Sequence, residues 1–158
     1  MTDDDRPTAA PSNAMPPVSR ESAEEFLKRN PSFCLAPWVH LHVLAEGQVT
    51  PCCESRQSLG NINSQNFDEI WNGAAMAAVR AQMLRGERVP GCQKCYDRED
   101  AGMASPRQLY NEKRGHLFDR VVDSRFDGSA PRAEPVTWDI RFSKICNYRC
   151  LSCRHGSS

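Results

Sequence analysis

Large apolar residues are nearly missing from the first twenty positions, where Pro7, Pro11, Pro16 and Pro17 are interspersed with Ser, Thr, Ala and Asp. Such a stretch buries too little surface to offset its ordering entropy. It reads as a disordered leader. Ser22 to Arg29 suits a short helix with Phe26 and Leu27 as its apolar contacts, and order is expected from Phe33 onward. Trp38-Val39-His40-Leu41-His42-Val43-Leu44 reads as a strand, Glu46-Gly47 as a turn, and Val49 to Cys53 as the return strand of a hairpin. Gly60-Asn61 starts a loop. Asn66 with Glu69 three residues on is a capping box, and Phe67, Ile70 and Trp71 stand at i, i+3 and i+4. A second helix is predicted over 74–85, with Met76, Val79 and Met83 on its buried face, Arg80, Gln82 and Arg85 elsewhere, and Gly86 as its stop. Pro90-Gly91 sets up a turn carrying Cys92 and Cys95. A helix is predicted from Ser105-Pro106 to about Asp119, with proline in its first turn. Gly128, Pro131 and Pro135 mark a linker. Val136 to Ser143 then alternates strictly, the clearest strand pattern in the chain.

Charge and hydropathy remove several function classes. Twenty Lys+Arg balance twenty Asp+Glu, whereas a dedicated nucleic-acid binder carries a basic surplus. No apolar run approaches the ~20 residues that span a bilayer. Asp3-Asp4-Asp5 without an apolar segment is no secretory signal. A cytoplasmic, reducing location is therefore expected, with neither membrane nor nucleic acid as partner. Eight cysteines in 158 residues fall below the ~8–10% of a disulfide scaffold. In a reducing compartment, clustered cysteines more often bind metal.

The cysteines form two sets. Cys146, Cys150 and Cys153 are spaced Cys-x3-Cys-x2-Cys directly after the alternating strand. Three thiolates on a four-iron cluster leave one iron open, as a catalytic site requires. A zinc knuckle with His155 as fourth ligand is the rival, but zinc sites favour Cys-x2-Cys pairs. The second set is Cys34, Cys52, Cys53, Cys92 and Cys95. Successive strand residues face opposite ways, so Cys52 and Cys53 would not both serve readily.

The C-terminal spacing after a strand resembles the signature of the radical S-adenosylmethionine superfamily. That resemblance implies that Cys146, Cys150 and Cys153 hold a 4Fe–4S cluster whose open iron chelates S-adenosylmethionine. Reductive cleavage would then give methionine and a 5′-deoxyadenosyl radical that abstracts hydrogen from substrate. Ser152 stands where the family often has an aromatic residue, leaving that side of the cluster less shielded. The N-terminal set resembles the SPASM pattern: Cys34, a twelve-residue spacer, Gly47-x4-Cys52, then Cys92-x2-Cys95. Ala101 occupies the position of the next cysteine in a complete SPASM domain, so the match is to the shortened twitch variant. This implies one auxiliary 4Fe–4S cluster on Cys34, Cys52, Cys92 and Cys95, with Cys53 as the substitute for Cys52. Otherwise Cys53 reads as a small buried apolar residue. Phe33-Cys34-Leu35-Ala36-Pro37-Trp38, Glu69-Ile70-Trp71-Asn72, and Cys95-Tyr96 with Glu99, Gly102, Ser105 and Arg107 also look like such domains. Auxiliary domains more often follow the barrel than precede it.

The expected fold is α+β: a small cysteine-rich twitch/SPASM-like domain of β-hairpin plus helices, followed by the first strand and cluster loop of a truncated radical SAM β/α barrel. Residues 1–31 would be leader and short helix, 32–119 the auxiliary iron–sulfur domain, 120–135 linker, and 136–158 the start of the core. A full barrel takes roughly 200 residues or more, so the chain is expected to be a fragment, inactive alone. Val136, Trp138, Ile140 and Phe142 would face the helix layer; Thr137, Asp139, Arg141 and Ser143 would face the lumen. A half-exposed antiparallel strand is the simpler alternative. His40 and His42 are expected to be hydrogen-bonded or solvent-facing, and Arg98-Glu99-Asp100 to be a charged helix face. The implied cofactors are two 4Fe–4S clusters and S-adenosylmethionine. The implied partners are an electron donor protein and a peptide or protein substrate. The rival functions are a non-enzymatic zinc-binding module with a four-cysteine site and a small iron–sulfur electron carrier.

Overall fold

The computed structural model describes residues 23–143. The expected leader and Cys146, Cys150 and Cys153 lie outside the described residues. The helices are α1 (Ala23–Arg29), α2 (Ala36–Val39), α3 (Phe67–Trp71), α4 (Ala74–Leu84), α5 (Gln93–Asp100) and α6 (Pro106–Arg114). The strands are β1 (His40–Val43), β2 (Gln48–Thr50), β3 (Gly60–Asn61) and β4 (Thr137–Ile140). They form one mixed sheet in the order β3-β2-β1-β4, antiparallel except for the parallel β1–β4 pair. The fold is thus α+β, a hairpin with helices packed around it.

Local chemistry explains most boundaries. Pro37 sits in the first turn of α2 and favours helix there, so β1 starts at His40 and not at Trp38. Gly47 has φ +84° and closes the hairpin. The return strand stops at Thr50, because Pro51 has no N–H to extend the ladder. Gly60-Asn61 pairs with β2 as a third strand, not a loop. Asn66 and Glu69 complete both halves of the capping box on α3, at 3.0 and 2.8 Å. Ser105 and Gln108 do the same on α6. Gly86, at φ +76°, ends α4 with its N–H on the Met83 carbonyl and that of Glu87 on Gln82.

The core extends further along the chain than the pattern suggests. Phe26 of α1 packs edge-on to Phe33 at 5.0 Å between centroids and lies 5.2 Å from Phe118. Order therefore includes α1. Val121, Val122 and Ser124 are buried, and Ser124 accepts a hydrogen bond from Trp38 Nε1 at 2.9 Å. The stretch 120–135 is consequently packed, not a free linker; its Gly and Pro residues shape turns against α4 and the sheet. Arg80 is also inside. Its Nε donates to the Pro37 carbonyl at 3.0 Å and its guanidinium covers the Trp71 ring. The aliphatic stem of arginine lets it share the apolar face with Met76, Val79 and Met83.

β4 joins this same sheet, in register with β1 from His40↔Thr137 to Val43↔Ile140. It is the half-exposed strand of the simpler alternative, but parallel. Its apolar side is the outward one: Trp138 is 48% exposed and Phe142 88%. No described element forms the helix layer expected over Val136, Trp138, Ile140 and Phe142; Phe67, at 5.5 Å from Trp138, is the aromatic neighbour. Thr137 and Asp139 point to the side on which the cysteines gather.

Candidate metal centre

Three separate stretches deliver cysteines to one place. Cys34 precedes α2, Cys52 and Cys53 occupy the turn after β2, and Cys92 and Cys95 flank the start of α5. All five line a single cavity of about 230 Å³, together with His40, Ser55, Arg107, Tyr110 and Asp139. None is in a disulfide. Because β2 has already ended, the two-face argument for Cys52 against Cys53 does not apply: both reach the cavity rim. Cys52 is half-buried and Cys53 exposed, so Cys53 is not a small buried apolar residue.

Burial makes these thiols reluctant to ionise unaided. It pushes Cys34 well above its ordinary value, with Cys52 adding repulsion. Burial also raises Cys52 to about 12 and Cys92 to about 11, and it raises Cys95. Opposing it are hydrogen-bond donors aimed at each sulfur. The N–H of Ala36 serves Cys34, those of Glu54 and Ser55 serve Cys52, the Ser55 side chain serves Cys92, and the N–H of Arg107 serves Cys95. Thiolates at these four positions, three of them buried and one half-buried, therefore need cations beside them. Soft thiolate donors suit zinc or iron–sulfur clusters. Among the described residues no three His, Cys, Asp or Glu side chains are grouped to hold a single metal ion. The thiols surround a volume instead.

A charged clamp holds the Cys34 side of the cavity. Arg107 grips Glu99 with both arms, Nε to Oε1 at 3.0 Å and Nη2 to Oε2 at 2.6 Å, and its Nη1 donates to the Phe33 carbonyl. Asn111 donates to that same carbonyl at 2.9 Å and accepts from the Leu35 N–H at 2.8 Å. The backbone on both sides of Cys34 is thus pinned to α6. Burial alone would raise Glu99, but hydrogen bonds from Arg107 and Ser105 outweigh it and hold the carboxyl below its ordinary range. The expected charged face 98–100 is split accordingly: Glu99 turns inward, while Asp100 pairs outside with Arg88 at 2.6 Å. Asn111 and Tyr110 were not singled out by the sequence. The available signal is that Asn111 lies four residues after Arg107 and so on the same helix face.

β4 supplies the remaining wall. His40 Nδ1 and Tyr110 Oη both meet Thr137 Oγ1, at 2.8 and 3.0 Å. His42 Nδ1 lies 3.0 Å from Thr50 Oγ1, and its Nε2 is 3.7 Å from Asp139 Oδ2. Burial lowers both histidines despite the nearby Asp139 charge. Both are thus hydrogen-bonded, as the sequence allows.

Residues 34–96 match the SPASM family, an iron–sulfur cluster-binding domain. The matched segment opens on the first of the five cysteines and closes one residue past the last. No curated protein and no solved structure matches the chain. Among the described residues no helix is long and apolar enough to cross a membrane.

Proposed function

We propose that this chain holds an auxiliary 4Fe–4S cluster on Cys34, Cys52, Cys92 and Cys95 and serves a radical S-adenosylmethionine enzyme. The observation that carries the reading is the convergence of four thiols, distant in sequence, around one cavity within the segment that matches an iron–sulfur domain. Four thiolates saturate a four-iron cluster, so this centre is closed. Its residues bind and tune: the N–H and hydroxyl donors on each sulfur lower the charge density there, which sets potential. Arg107 and Asn111 fix the backbone at Cys34.

Cys146, Cys150 and Cys153 complete the proposal as ligands of a second, open cluster. When bound, that cluster supplies the electron that cleaves S-adenosylmethionine to methionine and a 5′-deoxyadenosyl radical. In sequence, Cys146 follows Ile140, the last residue of β4, by six positions. An electron donor protein and a peptide or protein substrate are the partners this activity requires, and the cytoplasm is the compartment that keeps the thiols reduced.

Anaerobic reconstitution with iron and sulfide tests the reading: about eight iron and eight sulfide per chain correspond to two four-iron clusters. Colourless protein carrying zinc overturns it. Loss of S-adenosylmethionine cleavage in Cys146→Ala, made in the longest natural form of the protein, is the expected result for the open cluster, and persistence of cleavage removes that assignment.

A further inference from the structure

Three strands set a row of polar side chains on the cysteine side of the sheet. In register, His42 of β1 stands opposite Thr50 of β2 on one side and Asp139 of β4, which lines the cysteine cavity, on the other. Residues so paired share a face. His42 and Thr50 are 2% and 4% exposed. His42 Nδ1 lies 3.0 Å from Thr50 Oγ1, which in turn lies 2.9 Å from the Cys52 carbonyl oxygen. That carbonyl also accepts the Ser55 N–H at 3.1 Å.

The supply of protons fixes the direction of the row. A carbonyl only accepts, and a threonine hydroxyl has a single proton to give. The Thr50 proton goes to the Cys52 carbonyl, since the alternative leaves two oxygens 2.9 Å apart with no proton between them. Thr50 Oγ1 is then the acceptor toward His42, so Nδ1 carries the imidazole proton. Nε2 is buried without a hydrogen-bond partner among the described residues and stands 3.7 Å from Asp139 Oδ2, beyond hydrogen-bond reach. Thr50 therefore orients the ring, and the ring holds the Thr50 hydroxyl in the rotamer that serves Cys52.

The row ends on the peptide between the two adjacent cysteines. Its carbonyl belongs to Cys52 and its N–H to Cys53, so anchoring the carbonyl fixes the plane that separates the two thiols. With the carbonyl turned onto Thr50 and Ser55, Cys52 is half-buried and Cys53 exposed. Rotation of that plane changes which thiol turns inward. We infer that His42 is a positioning residue: acting through Thr50, it holds this peptide so that Cys52, and not its neighbour, is the cluster ligand. The inference rests on the four-thiolate cluster proposed above.

The test is thiol mapping on the full chain, reconstituted anaerobically with iron and sulfide and treated with iodoacetamide. Peptide mass spectrometry reads alkylation of Cys53 against Cys52. In the unsubstituted chain Cys53 should be alkylated and Cys52 protected. Thr50→Val and His42→Gln should each lower the Cys53-to-Cys52 ratio about fivefold, the weight of one buried hydrogen bond. Thr50→Ser and His42→Asn should preserve it. An Asn amide nitrogen stands as far from Cβ as Nδ1 and reaches Thr50, whereas a Gln amide nitrogen stands as far as Nε2 and faces Asp139. A merely structural histidine would not distinguish the two amides. A loaded cluster with an unchanged ratio in Thr50→Val and His42→Gln, equal effects of the two amides, or protection of Cys53 in the unsubstituted chain overturns the inference alone. No iron or sulfide uptake by the unsubstituted chain removes the cluster reading and the inference with it. If only the substituted chains fail to load, isotope-edited nuclear magnetic resonance of the metal-free full chain decides. His42 protonated at Nδ1 supports the row, and His42 protonated at Nε2 overturns it.

Discussion

Arg107 and Glu99 form a two-armed ion pair, at 3.0 and 2.6 Å, beside the cavity where the cysteines converge. The guanidinium is 6% and the carboxylate 14% exposed, so the pair is inside the fold. Its third nitrogen holds the carbonyl next to Cys34. Arg107→Ala leaves a buried carboxylate unpaired and frees that carbonyl. The expected loss is about 3 kcal/mol of unfolding free energy, with weaker iron retention, read by denaturant titration and iron assay. Arg107→Lys keeps charge but not the fork, and should recover only part of either.

Acid weakens the same pair in a defined direction. The folded carboxyl of Glu99 titrates below its ordinary value of 4.5. Its contribution to stability is therefore complete above about pH 4.5 and declines as pH falls from there through the folded value. Denaturant titrations of the metal-free protein between pH 7 and pH 3 should show this decline. Glu99→Gln should be less stable at neutral pH and show a shallower acid slope; an identical slope would sink the assignment.

Ser124 tests whether 120–135 belongs to the core. Ser124→Ala removes the acceptor for the buried Trp38 Nε1–H. An unsatisfied buried donor costs about 1–3 kcal/mol, visible as a lower denaturation midpoint with an unchanged denaturant slope. A free linker would show no change.

Cys52 and Cys53 separate by loading. Cys52→Ser should lose cluster, because two backbone N–H groups already face its sulfur. Cys53→Ser, exposed at the rim, should retain it. The reverse outcome, read by iron content after anaerobic reconstitution, would make Cys53 the ligand.

Much of this was legible from local signals. The capping box at Asn66, the stop at Gly86 and the turn at Gly47 are short-range chemistry, and the structure has all three. The gathering of Cys34, Cys52, Cys92 and Cys95 followed from spacing compared with a known pattern. Long-range packing was not legible. Nothing local tells that Arg80 turns inward onto Trp71, that Ser124 caps the Trp38 indole, or that β4 joins β1 in parallel. Those depend on partners 9 to 98 positions away in sequence. Composition likewise misread 120–135, since Gly and Pro mark tight packed turns as well as free linkers.

The most direct measurement is metal and sulfide content of the Cys146→Ala/Cys150→Ala/Cys153→Ala triple variant after anaerobic reconstitution, with cluster spectroscopy. Only the cavity described above can then hold metal through cysteine. The account predicts about four iron and four sulfide per chain, lost on adding Cys92→Ser. One zinc per chain, or no retained iron, would contradict it.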